Sequence, residues 1–304
     1  METVLVLVNQ LIIFVIYLAI GFCLEKAGMV TKKNSGALTS FLLYAVLPCL
    51  IVKAFMQPGS PEKTRELLWA LLLAVIALAI AMIVSHICFK KDPISNFGSS
   101  FSNAGLMGLP LIAAVLGSDA AFYTAGMVAM LNVLQWTYGQ SLITGNWSEL
   151  QPKKIAKNPL VLAFIAGLLV YFLQIPLPKT VSSTINSLAA CSAPIAMVII
   201  GVYLGGMKLS AMKDRSIWIC SFVRLIVIPV ATMLVFALFK DLPVILRMAI
   251  FISAMAPVGS NIAIYVERQG QDTGPATALV CLSTLLCLLT MPVMLMIATA
   301  LWGA

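Results

Sequence analysis

Stretches of about twenty apolar residues recur ten times along this 304-residue chain, at about 4–24, 36–56, 67–89, 94–117, 120–144, 159–176, 184–206, 216–239, 243–268 and 273–301. A helix rising about 1.5 Å per residue crosses a hydrocarbon core about 30 Å thick with roughly twenty residues, so each stretch is a candidate membrane span. Hydrophobic residues make up 61% of the chain and charged residues only 10%, against ~25% charged in a soluble domain, so lipid rather than water sets the architecture. A backbone in lipid must satisfy its own hydrogen bonds. Runs of this length without two-residue alternation therefore predict an all-α integral membrane protein of ten transmembrane helices rather than a barrel. The first run, Val4 to about Cys23, has no basic segment before it and is expected to be the first helix, not a cleaved signal.

Charge orients the spans. If loops 1–2, 3–4, 5–6, 7–8 and 9–10 share one side, that side collects Lys26, Lys32, Lys33, Lys90, Lys91, Lys153, Lys154, Lys157, Lys208, Lys213, Arg215 and Arg268. The other side holds Lys63, Arg65, Lys179 and Lys240. Positive loops stay in the cytoplasm, so both termini of this multi-pass protein are expected outside it, in a cell (plasma or inner) membrane. The longest polar connection, about Gly145 to Lys157, divides the chain into halves 1–147 and 148–304 with five spans each. An odd number of spans per half means that a repeated half would be inserted upside down. Gly117-Ser118-Asp119 and Gly270-Gln271-Asp272 end the fourth and ninth spans, 153 residues apart, as such a repeat would place them.

The same two spans are wrong for lipid. The fourth reads S-N-F-G-S-S-F-S-N-A-G-L-M-G-L-P-L from Ser95, too polar and Gly-rich in its first half to face hydrocarbon, and Pro110 then removes a backbone donor. The ninth carries Pro257, Gly259, Ser260 and Asn261 near its centre. Each break alone could be a kink with small residues for close packing; two in corresponding positions predict broken helices that meet near mid-membrane. Freed N–H groups and positive helix ends there would suit a carboxylate. Ser102, Asn103, Ser260 and Asn261 become candidates to hydrogen-bond a ligand or coordinate a cation. Asn132 and Gln135 in the fifth span are the next, each equally readable as interhelical glue. Pro48 and Pro194 read as bends in a scaffold.

Few charges lie within the spans. Lys53 and Arg247 sit near span ends, where snorkelling to the interface is the default expectation. Arg224 stands about nine residues into the eighth span, ~14 Å deep, and would either attract an anion or cap carbonyls freed at a helix break. No Asp or Glu falls at mid-depth, and His86 is near the end of the third span, which disfavours simple proton relay. A Na⁺ site made of carbonyls and Asn or Ser oxygens would leave little trace, so Na⁺ or H⁺ remain as coupling ions.

Other functions are excluded by what is missing. The net charge of +8 is spread over short loops with no basic helix face, so nucleic acid is not an expected partner. The seven cysteines lie in apolar stretches without metal-ligand spacing and read as small buried hydrophobes, so neither a metal nor a cofactor is expected. A channel would need a charged ring or filter, and a membrane enzyme a nucleophile, an acid–base pair or a metal cluster at depth.

The motifs S-N-A-G-L-M-G-L-P-L at Ser102–Leu111, N-P-L at Asn158–Leu160, A-P-I at Ala193–Ile195, R-L-I-V-I-P at Arg224–Pro229 and P-V-G-S-N at Pro257–Asn261 together resemble the auxin efflux carrier family along essentially the whole chain. The resemblance implies secondary active or facilitative transport of a small organic anion, a mono- or dicarboxylate such as malonate, malate or an auxin-like acid. It also implies two inverted five-helix repeats with crossing broken helices, a scaffold (spans 1, 2, 6 and 7), an elevator-type transport domain (spans 3–5 and 8–10) and a homodimer. Matched residue by residue, it selects Asn103 and Pro110 in the fourth span and Pro257 and Asn261 in the ninth. With Gly105 of the same motif and Asn132, Gln135 and Ser260 these form the expected substrate site, Arg224 being electrostatic or structural. The plant pattern has a second proline where Ile262 stands, and the long central loop of many plant members is missing, so phosphorylation control there is not expected. A Na⁺-coupled or cation/proton exchanger of the bile-acid-symporter type is the rival carrier, although such proteins normally show acidic ion ligands.

Overall fold

The computed structural model describes residues 2–31, 34–146, 157–207 and 209–303. The division expected at 147/148 and the loop charges Lys32, Lys33, Lys153, Lys154 and Lys208 lie outside them. The described chain is all helix: α1 (Glu2–Lys26), α2 (Gly36–Phe55), α3 (Pro61–Cys88), α4 (Pro93–Ser100), α5 (Ala104–Val115), α6 (Ser118–Leu134), α7 (Gln140–Thr144), α8 (Pro159–Phe172), α9 (Lys179–Gly205), α10 (Arg215–Phe236), α11 (Val244–Ala254), α12 (Asn261–Arg268) and α13 (Gly274–Trp302).

Six of these, α1, α2, α3, α9, α10 and α13, are long and apolar enough to cross a membrane. The other four apolar runs of the sequence are shorter or interrupted. The fourth is divided into α4 and α5, the ninth into α11 and α12, the sixth yields the 14-residue α8, and the fifth passes from α6 to α7 through a wide π turn at Gln135–Gly139. Similar π turns occupy Leu42–Val46, Ala104–Gly108 and Val223–Val227, and each ends two residues before a proline, Pro48, Pro110 or Pro229. A proline ring clashes with the carbonyl four residues back and cannot bond to it. The wider turn relieves that conflict without ending the helix.

Helix starts follow local capping chemistry. Ser60, Asp92 and Asn158 each accept from backbone N–H groups at the start of α3, α4 and α8, with proline next in sequence, where its missing N–H costs nothing. Gly117 and Gly270, the repeated G-x-D glycines, both have left-handed backbone (φ +88° and +66°). That shared conformation explains why glycine stands at both.

Close backbone contact organises the bundle. α1 packs along the C-terminal part of α9, and an added Cβ on Gly21 or Gly201 would lie 2.0 Å from the carbonyl oxygen of Val198 or Leu18 respectively. α8 packs on the last turns of α2, with Gly167 against the Phe55 ring. Small residues permit this approach where lipid supplies no hydrophobic drive between helices. Around these pairs, α3 packs on α4 and α6, α10 on α13, and α11 bridges α3 and α6.

Two expectations need correction. Arg247 does not snorkel: it is 3% exposed, with its guanidinium 5.3 Å from the Trp302 ring centroid, because α13 covers that face and supplies a cation–π partner. The cysteines are not uniformly buried. Cys220, Cys281 and Cys287 are, whereas Cys23, Cys88 and Cys191 face outward, as small apolar groups can when the surrounding medium is lipid. Lys53 and His86 are exposed, as their positions near helix ends imply.

Replacing Gly201 by Ala should force α1 and α9 apart and destabilise the protein by about 1–3 kcal/mol. Gly36→Ala, whose Cβ would meet nothing within 4 Å, should leave thermal unfolding in detergent unchanged.

Candidate functional site

The site begins with the residues that stop α4. After Ser100 the chain extends through Phe101 and Ser102, and after Ala254 the non-helical segment Met255–Ser260 runs beside it before α12 starts. The two breaks satisfy each other. Ser102 and Val258 form an antiparallel bridge, Asn103 N–H donates to the Pro257 carbonyl at 2.8 Å, and Gly259 N–H donates to the Phe101 carbonyl at 2.9 Å. Val258 N–H has its partner in the Ser283 hydroxyl of α13 at 3.1 Å. Gly259 is needed for the approach, since a Cβ there would lie 3.1 Å from the Ser102 carbonyl oxygen.

Arg224 adds three bonds to this backbone accounting. It is 1% exposed in the π turn of α10 and donates from Nε to the Ala256 carbonyl at 3.0 Å, from Nη1 to the Ser99 carbonyl at 3.0 Å, and from Nη2 to the Ala254 carbonyl. The guanidinium therefore joins the carbonyl ends of α4 and α11. Of the two roles open to it in sequence, capping freed carbonyls is the one its contacts describe, and it lines neither cavity at the breaks.

On the other side of the breaks the polar side chains converge. Ser102, Asn103, Gly105, Asn132, Gln135 and Asn261 line a recess of about 20 Å³, room for one water-sized polar group. Asn261 Nδ2 donates to Gln135 Oε1 at 2.8 Å, and Asn132 Nδ2 donates back to the Val128 carbonyl at 2.8 Å. Asn103 Nδ2 and Ser102 Oγ are buried without a hydrogen-bond partner among the described residues. A buried amide donor in that state costs about 1–3 kcal/mol, so it marks a place where an acceptor would be stabilised.

The recess adjoins a cavity of about 320 Å³, the two sharing Leu43, Asn132, Leu160 and Asn261. Tyr44, Trp136, Tyr203 and Tyr265 form its aromatic walls and Glu267 its carboxylate; no Lys or Arg is among the described lining residues. It extends to Ser35, Asn158 and Glu267, beside loops 1–2, 5–6 and 9–10. At the opposite helix ends Lys63 pairs with Asp119 at 3.2 Å and donates to Gln57 at 2.7 Å, and Tyr171 donates to the Ser60 carbonyl at 3.4 Å.

Five expected site residues thus share one recess: Asn103, Gly105, Asn132, Gln135 and Asn261. Pro257 contributes its carbonyl to the paired breaks, Pro110 follows the π turn at the start of α5, and Ser260 is buried; none of the three lines either cavity. The aromatic walls were missed in the sequence, though a signal was present. Trp136 and Tyr265 each stand four residues beyond a site asparagine, Asn132 and Asn261, on the same helix face.

Comparison with known proteins places the chain among membrane transport proteins. A family model described as membrane transport protein matches residues 5–154 and 145–295. A relative from Rhizobium meliloti (strain 1021), named "Putative malonate transporter", is 24% identical over 271 residues, covering 84% of this chain and 84% of its own.

Ser283→Ala should strand the buried Val258 N–H and lower stability by about 1 kcal/mol or more, read as a fall in melting temperature of the detergent-purified protein.

Proposed function

The chain belongs to the membrane transport protein family, the auxin efflux carrier-like family, and from that premise we propose that it carries a small organic anion across the membrane by alternating access. One observation carries the choice of ligand. The Asn103 amide is a buried donor without an acceptor among the described residues, in a recess sized for one small polar group and joined to a cavity of about 320 Å³. A carboxylate supplies the missing acceptor, and the aromatic walls accommodate the body that carries it. The N-terminal ends of α5 and α12, each equivalent to roughly half a positive charge, begin at the same breaks and favour an anion there. Malonate, malate and auxin-like acids are the candidates, the first suggested by the name of the Rhizobium relative.

The architecture we propose is ten spans in two inverted halves, with the breaks of spans 4 and 9 crossing. It is supported by the packing equivalence of α1 on α9 (spans 1 and 7) with α8 on α2 (spans 6 and 2), and by the left-handed glycines Gly117 and Gly270. The cavity walls come from α2, α9 and the start of α8 on one side, and from α6 and α12 on the other. An elevator-type movement between a scaffold of spans 1, 2, 6 and 7 and a transport domain of spans 3–5 and 8–10 would run along that boundary. Homodimerisation, Na⁺ or H⁺ coupling, and cytoplasmic placement of the Lys- and Arg-rich loops complete the proposal.

Uptake of radiolabelled malonate, malate and indole-3-acetate into proteoliposomes, with and without Na⁺, pH and voltage gradients, tests the carrier. Asn103→Ala and Asn261→Ala should each reduce saturable uptake at least about tenfold, the loss of one or two charge-assisted hydrogen bonds, while the protein still inserts and unfolds cooperatively. Wild-type rates in both variants would show that the substrate sits elsewhere. For orientation, an impermeant thiol reagent on intact cells should label Arg65→Cys and spare Asn34→Cys in a cysteine-free background; the reverse pattern would invert the topology.

A further inference from the structure

The cavity presents a difficulty for an anion carrier. Its described lining has no Lys or Arg, and its one carboxylate, Glu267, repels anions. Each broken helix also brings a negative carbonyl end to the same break as its neighbour's positive N-terminal end, so the two dipole ends would largely cancel at the recess.

Resting on the carrier reading, we propose that Arg224 is the positioning residue that sets the anion preference of this site. Its buried charge offsets the carbonyl ends of α4 and α11, leaving the positive ends of α5 and α12 to govern the recess.

Three observations carry this. The guanidinium donates to the Ser99, Ala254 and Ala256 carbonyls, which belong to both interrupted helices and to nothing else in the bundle. Among the described residues it has no carboxylate partner, the ion pair there being Lys63 with Asp119, so its full charge acts on the breaks. It is also close in chain terms. Ala256 adjoins Pro257, whose carbonyl holds Asn103, and Ser99 is three residues from Ser102. At no more than about 3.5 Å per residue, added to the 3.0 Å hydrogen bond, the recess lies within roughly 14 Å of the charge. A unit charge at about 10–14 Å with an effective dielectric near 20 changes anion affinity on the order of tenfold. Arg224 touches no ligand in this arrangement and acts through the two helix ends.

A structural brace and a charge source predict different results. Proteoliposome uptake of whichever of malonate, malate and indole-3-acetate the wild-type protein transports is competed by that acid and by its neutral amide. In wild type the acid should compete at far lower concentration than the amide. In Arg224→Gln this acid-to-amide ratio should fall roughly tenfold, whatever happens to the maximal rate. Arg224→Lys keeps the charge but cannot bridge three carbonyls. It should keep the ratio within about threefold while lowering the melting temperature.

An unchanged ratio in Arg224→Gln, with slower transport only, would reduce Arg224 to a brace and overturn the inference. If Arg224→Gln does not fold, Arg224→Lys decides: a ratio kept despite lost stability supports the charge role, and a ratio lost along with stability refutes it. Absence of uptake of all three acids by the wild-type protein would remove the carrier reading, and this inference with it, and is distinguishable from both because no variant enters that comparison.

Discussion

Lipid offers no hydrogen bonds, so every break in a membrane helix must find its partners in protein, and this molecule contains two breaks that solve the problem for each other. The Asn103 and Gly259 amides and the Phe101 and Pro257 carbonyls exchange bonds across them, Ser283 takes the Val258 amide, and Arg224 takes the Ser99, Ala254 and Ala256 carbonyls. The polar side chains of the recess hold their places because this backbone junction holds. Without it, the freed backbone groups beside Ser102 and Asn103 would be buried without partners, which is costly.

The rest of the bundle supports the junction with two kinds of contact. At the glycine-mediated pair α1 on α9 the backbones come so close that one added Cβ would displace a helix, and in α8 on α2 the Gly167 position is filled by the Phe55 ring. The wide turns before Pro48, Pro110 and Pro229 let α2, α5 and α10 continue past residues that would otherwise end them. Rigid pairs beside bent helices leave a cavity between α2, α8 and α9 and the elements α6 and α12. An alternating-access carrier needs such a boundary. The cavity is walled by aromatic side chains, and at its polar end it adjoins a recess of about 20 Å³.

Much of this was legible in the sequence because the signals are local. Hydropathy marked the apolar runs, six of which are helices of crossing length among the described residues; the polar residues and prolines that shortened the others are themselves visible in the runs. The interruptions at Ser102–Asn103 and Pro257–Asn261 announced themselves as groups unsuited to lipid, and Asn103, Gly105, Asn132, Gln135 and Asn261 do meet. Arg247 misled, because proximity to a helix end says nothing about the Trp302 ring that another helix lays over it.

By itself, then, the sequence determined that this protein lives in a membrane, which spans break, and which side chains are too polar to face lipid, since each follows from the composition of a short window measured against hydrocarbon. Only tertiary structure decided that Asn261 meets Gln135 across 126 residues, that Tyr44 and Tyr203 wall the cavity, and that Arg224 binds carbonyls of both breaks rather than lining the recess. Those outcomes depend on where helices distant in sequence come to rest. Hydrogen bonds and charges act over a few ångströms of space, and no local pattern along a chain records that distance.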